Sequence, residues 1–274
     1  MNDRVTIAIE DGVADVRLNR PDKMNALDNA MFEGLVAAGE RLKSERGVRA
    51  VVLSGEGRAF CAGLDMGNFG RMADGPPGRS TTARDDETLG ARTHGVANRA
   101  QYACWVWREL PVPVIAAVHG VAFGGGFQVA LGADMRYVAP DAKMAVMEIK
   151  WGLVPDMAGT QLMRHLARED IVRELTFTGR IFSGEEAFAY GFATRISADP
   201  RAEALAVARE IAAKSPDAVR AAKRILNAAV ITDPKTGLTM ESVEQIKLIG
   251  SPNQVEAVLS NLQKRAPAYV DPAA

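Results

Sequence analysis

The chain has 274 residues, 47% hydrophobic and 24% charged, the proportions of a water-soluble globular protein with a sizeable core. A formal net charge of −1 leaves no excess of Lys and Arg to displace counterions, which argues against a nucleic-acid partner. No run of eighteen uncharged apolar residues offers a membrane span, the N-terminal residues lack a secretory pattern, and two scattered thiols, Cys61 and Cys104, fit a reducing cytoplasm.

Taken in chain order, Val5, Ile7 and Ile9 alternate with polar or small residues and lead into Asp11-Gly12, a hairpin signal, with Val16 and Leu18 on the return strand. Asp28 is placed to cap a helix carrying Met31, Phe32, Leu35, Val36 and Leu42 at helical spacing. Val48 to Leu53 reads as a short buried strand. From about Gly67 to about Gly95 periodicity fades, and a long loop is expected there. Val114 to Val118 reads as a buried strand, Gly124-Gly125-Gly126 opens a helix, and further strands are expected at Met135 to Val138 and at Ala142 to Glu148. From Gly159 the pattern is helical, with segments over 202–213, 216–230, 237–249 and 252–264. Short strands alternating with helices, then a helical tail, describe an α/β core over residues 1–200 and a helical C-terminal region over 201–274.

Two glycine-bearing segments carry the chemistry, Ala59 to Met66 and His119 to Gln128, each just after a strand. Glycine lets backbone approach a ligand closely, and the first amides of a helix lack intrahelical acceptors at the positive end of its dipole. Such a place suits an anion, including one that develops only in a transition state. Dinucleotide, Walker and nucleophile-elbow spacings are all absent, and His94, His119 and His165 lack metal-ligand spacing.

In order along the chain stand Asn19-Arg20-Pro21 with Asn25-Ala26-Leu27, Ala59 to Met66, Gly120 to Gln128, Glu148, Gly152 to Asp156 with Gly159-Thr160-Gln161, and Lys264-Arg265. Taken together, these landmarks resemble the crotonase (enoyl-CoA hydratase/isomerase) superfamily over nearly the whole chain. The resemblance implies an α/β fold, a ClpP-like spiral of ββα units with a C-terminal helical trimerisation region. It also implies a homotrimer or dimer of trimers and an acyl-CoA thioester substrate. Coenzyme A is then part of that substrate, with no separate cofactor and no metal. Carried over, the backbone N–H groups of Leu64 and Gly125 form the oxyanion hole. Main chain around Ala62, Leu64, Asp65, Met66 and Gly124 receives the coenzyme, and Lys264 or Arg265 meets its phosphates.

Family hydratases use two glutamates. Glu148 matches one, whereas Gln128 stands at the other position and cannot exchange a proton near neutral pH. A double-bond isomerase needs only one carboxylate, taking a proton from carbon 2 and returning it to carbon 4, so an isomerase is the favoured expectation. A hydratase with Gln128 orienting water is the alternative, and a catalytically silent acyl-CoA-binding protein the third. Asp156 has two readings: it raises the pKa of Glu148 by like-charge repulsion, or it caps a helix starting near Ala158. Cys61 is expected to pack rather than react, and Trp105 and Trp107 to fill core. Arg92, His94 and Arg99 are placed near substrate by position alone.

Overall fold

The computed structural model describes residues 3–67 and 89–271. Strand β1 (Val5–Glu10) pairs antiparallel with β2 (Val13–Leu18) across a turn in which Asp11 and Gly12 both have positive φ, the geometry a tight hairpin requires. Strands β3 (Ala50–Gly55), β4 (Val114–Val118), β6 (Met135–Val138) and β9 (Arg195–Ile196) then add in parallel, giving the order β1-β2-β3-β4-β6-β9. A second sheet has the order β5-β7-β8, from β5 (Val121–Phe123), β7 (Lys143–Ala145) and β8 (Phe182–Ser183).

Side chains alternate across the larger sheet, so its two faces carry separate apolar sets. Val16, Leu18, Val51, Leu53, Val114, Ala116 and Val118 face helices α1 (Asn29–Ser44) and α2 (Arg99–Glu109), whose Leu35, Ala38, Val106 and Trp107 complete that core. Asp28 caps α1 by accepting from the Met31 amide at 2.8 Å, as expected, and Asn98 with Gln101 forms a reciprocal capping box on α2. On the opposite face, Val13, Ala50, Val52, Ile115, Ala117 and Tyr137 meet Ala204, Ala208 and Ala212. Those alanines recur every four residues on a later helix (Pro200–Ala212), a smooth stripe that lets it lie directly on the sheet.

In chain order the next helices are α3 (Gly125–Leu131), α4 (Gly159–Met163), α5 (Glu169–Thr178) and α6 (Gly184–Tyr190); the helix on the sheet is α7. The tail is α8 (Pro216–Ala229), α9 (Pro234–Leu248) and α10 (Pro252–Gln263). Proline opens each helix from α7 to α10, where its missing N–H costs nothing. A buried cation pins this tail to the core: the Lys223 ammonium of α8 donates to Asp134 Oδ2 at 2.7 Å, to the Val112 carbonyl at 2.9 Å and to the Trp107 carbonyl at 3.3 Å.

Two sequence expectations need correction or restriction. The strand expected over Ala142 to Glu148 is shorter, Lys143–Ala145, and Glu148 instead opens a 3₁₀ turn, Glu148–Trp151. Strand β7 has ladder partners only for those three residues, and Gly152, at φ +70°, closes the turn by donating its amide to the carbonyls of Glu148 and Ile149. The loop expected from Gly67 to Gly95 falls mostly on residues 68–88, outside the described residues. Among the described residues no helix is long and apolar enough to cross a membrane.

Candidate active site

The site begins with a buried asparagine. Asn25 donates its Nδ2 to the carbonyls of Glu56, Ala59 and Phe60 at 2.9, 2.8 and 3.2 Å, and its Oδ1 accepts from the Arg20 amide at 2.8 Å. It thereby fastens the turn after β3, and Cys61 Sγ donates to its carbonyl at 3.1 Å. The next residues are laced on both sides. The Cys61 amide donates to Val121 O and that of Phe123 to Cys61 O, while the Ala62 amide donates to Met24 O and that of Leu27 to Gly63 O. In this lattice the Leu64 and Gly125 amides have no acceptor among the described residues.

Close approach explains the glycines. A methyl group on Gly126 would stand 2.3 Å from the Cys61 carbonyl oxygen, and Gly124 holds φ +48°, a conformation that disfavours side chains. A methyl on Gly63 would lie 3.8 Å from the Gly125 nitrogen, so the two segments singled out in the sequence do converge. Gly124 also abuts Glu148: a methyl there would meet its Oε1 at 3.2 Å and its Oε2 at 3.9 Å.

Glu148 receives a hydrogen bond on Oε1 from Gln128 Nε2 at 2.6 Å, while Oε2 is buried with no partner among the described residues. Burial raises its carboxyl above the ordinary glutamate value, hydrogen bonds from its own turn and from Gln128 oppose the rise, and the Asp156 carboxylate adds to it. Asp156 is open to solvent yet recessed among protein atoms, and loss of hydration raises its carboxyl too. Its capping reading is not met, because the N-cap of α4 is Ala158 and no side chain caps that helix. Gln128 is buried on α3, and its Oε1 accepts from the amides of Met157 and Gly159 at 2.9 and 2.8 Å. A methyl on Gly159 would sit 2.6 Å from that oxygen, which explains glycine at that position.

The family model for enoyl-CoA hydratase/isomerase matches residues 8–272. This chain belongs to the enoyl-CoA hydratase/isomerase family. Mouse methylglutaconyl-CoA hydratase is 31% identical over 265 residues, covering 94% of this chain and 79% of that protein. Human Δ(3,5)-Δ(2,4)-dienoyl-CoA isomerase is 35% identical over 224 residues, covering 80% of this chain and 66% of that protein. Among solved structures, enoyl-CoA hydratase from Bacillus anthracis superposes with a TM-score of 0.84 at 28% identity, covering 97% of this chain and 98% of that one. The chain thus has the crotonase fold expected from its sequence.

Other residues carried over from the enoyl-CoA hydratase/isomerase pattern are placed less centrally. Asp65 is occupied, accepting from Arg20 Nη1 at 2.6 Å and from the Gly67 amide at 2.8 Å, and Met66 is exposed. Ala62 and Gly124 both spend their amides within the fold, the latter on Ala145 O at 2.9 Å. Arg265 grips Glu256 through two nitrogens at 2.5 and 2.7 Å, and Lys264 closes α10 with φ +53°. No hydrogen bond or ion pair joins either to Ala62–Met66 among the described residues. Cys61 is buried and its thiol is pushed up to about 12, so it packs rather than reacts. Trp107 is fully buried and Trp105 partly so, both in core. Arg92 donates to Gln101, His94 stacks on Tyr102 and Arg99 pairs with Glu33. No cluster of three His, Cys, Asp or Glu side chains is arranged for a metal among the described residues. Sequence reasoning used Asn25 and Gly159 only as landmarks; their tasks depend on partners 31–35 residues away.

Proposed function

We propose that this protein acts on an acyl-CoA thioester and shifts a carbon–carbon double bond, with Glu148 carrying one proton from carbon 2 to carbon 4. The Leu64 and Gly125 amides hold the thioester oxygen as it gains enolate charge, each such donor lowering the barrier by about 2.7–4 kcal/mol. The observation that carries this reading is the state of Gln128. Both lone pairs of its carbonyl are taken by Met157 and Gly159, so it has no free acceptor with which to draw a proton from water. Glu148, by contrast, keeps an unpaired buried oxygen beside Gly124. A buried carboxylate raised by desolvation is a stronger base than a solvated one, which suits abstraction of an α-proton.

A hydratase is the second reading, favoured by the hydratase names of similar proteins. Paired assays on 2-enoyl- and 3-enoyl-CoA separate the two by product mass. Isomerisation leaves the formula unchanged, whereas a product heavier by one water would overturn the isomerase reading.

The acid side of the rate profile reports Glu148, because only its carboxylate form accepts a proton. Its raised pKa places that limb above the ordinary glutamate range. Asp156→Asn removes a like charge that raises Glu148, so the limb moves to lower pH. A pH–kcat/KM profile checks this, and an unmoved limb would show that the two carboxyls do not interact. We also propose a trimer or dimer of trimers, supported by exposed apolar residues on the tail helices, among them Leu238, Ile246, Val258 and Leu262. Sedimentation as a 29.3 kDa monomer would contradict it.

A further inference from the structure

We propose that Gln128 is a positioning residue that gives the two oxygens of Glu148 different tasks: its amide N–H holds Oε1, leaving Oε2 as the single proton-carrying atom. This rests on the reading of Glu148 as the proton carrier. The orientation of the Gln128 amide follows from its neighbours. Two backbone N–H groups, from Met157 and Gly159, point at one end of the group, so that end is the carbonyl, and the NH2 end faces Glu148. The reverse orientation would set N–H donors against N–H donors in a buried place, an arrangement that costs about 1–3 kcal/mol for each unsatisfied group. Glu148 therefore cannot present Oε1 to substrate without breaking a 2.6 Å hydrogen bond, whereas Oε2 has no hydrogen-bond partner to lose among the described residues.

The same amide fixes a second group. Met157 and Gly159 flank Ala158, a non-glycine residue at φ +67°, and both their amides are tied to Gln128 Oε1. Asp156 directly precedes this tied segment. One side chain on α3 thus holds the Glu148 oxygen on one side and the chain that carries Asp156 on the other.

Among the described residues, few other charges bear on Glu148. The Cys61 and Cys104 thiols nearby are buried and held neutral. On α5, which packs against the 3₁₀ turn, Glu169 pairs with Arg173, Asp170 with Arg168 and Glu174 with Arg180. Lys150 of the turn lies over the Trp151 ring. Among the described residues Asp156 is the charged group that acts on the titration of Glu148, beside burial, the amides of its own turn and the Gln128 hydrogen bond.

The test compares Gln128→Met and Gln128→Glu in the full chain by two readouts. Carboxyl ¹³C NMR follows the Glu148 titration, assigned with Glu148→Gln, and steady-state kinetics follow the double-bond shift. Gln128→Met loses the donor to Oε1, so Glu148 titrates at higher pH than in the wild type, and kcat falls about 10²-fold with KM little changed. That variant also strips two buried amides of their acceptor. Gln128→Glu keeps the acceptor, so it answers if the first variant does not fold. It places two carboxyl groups at hydrogen-bond distance, which then share one proton, and both the NMR titration and the acid limb of kcat move to higher pH. Titrations and limbs that coincide with the wild type in the folded variants would overturn the proposal and leave Gln128 a purely structural residue. The NMR arm needs no turnover. A wild-type protein that exchanges no substrate proton would defeat the carrier reading while the clamp on Oε1 is still decided.

Discussion

Glu148→Gln lowers the double-bond shift on 3-enoyl-CoA by about 10²–10⁴-fold, the usual contribution of a positioned acid–base group. The substitution keeps the volume of the side chain, and the new carbonyl oxygen still accepts from Gln128 Nε2, so the 3₁₀ turn and the packing against Gly124 persist. What disappears is the Glu148 carboxylate oxygen near Gly124 that has no partner among the described residues and can take a proton. Binding of the thioester is expected to be unaffected, because the Leu64 and Gly125 amides proposed to hold its oxygen belong to other segments. KM therefore stays within a few-fold of the wild type while kcat falls. Steady-state rates with a melting curve on the same sample check both halves, and a variant with wild-type kcat would remove Glu148 from the mechanism.

Lys223→Met destabilises the fold by about 3 kcal/mol, the lower end of the cost of removing one partner from a buried ion pair. The lower end is appropriate because Asp134 Oδ2 keeps the Val114 amide at 2.7 Å after the lysine is gone. Lys223 is nearly inaccessible, and the Trp107 and Val112 carbonyls lose a donor as well as Asp134. Urea denaturation measures the loss as a lower midpoint. Adding Asp134→Asn, which retains an acceptor for Val114 but removes the stranded charge, recovers part of it. No recovery would mean that packing of the lysine stem, rather than its charge, holds α8 to the core.

Local chemistry made most of the fold legible. Asp28 before an apolar stripe, Asp11-Gly12 between alternating segments, and prolines at the starts of α8 and α10 are short-range signals whose effects do not depend on distant partners. The Ala142–Glu148 run departs from its expected strand for the complementary reason. The apolar run continues past Ala145 through Val146 and Met147, yet the strand ends where its ladder partners end, and a glycine seven residues on closes a turn instead. The convergence of the two glycine segments at the candidate site was legible, since close backbone approach can only be made by particular residue types. The direction of the Gln128 amide, the clamp of Asn25 and the placement of Asp156 were not, because each is decided by groups brought together from far along the chain.

The most direct test of a single proton carrier is label transfer. A 3-enoyl-CoA carrying deuterium at carbon 2 is converted in ordinary water, and the product is read by mass spectrometry and ²H NMR. If Glu148 Oε2 takes the deuteron and returns it, part of the product carries deuterium at carbon 4. Isomerised product with no more than background deuterium at carbon 4, even in a single rapid turnover, would contradict one carboxylate acting at both carbons.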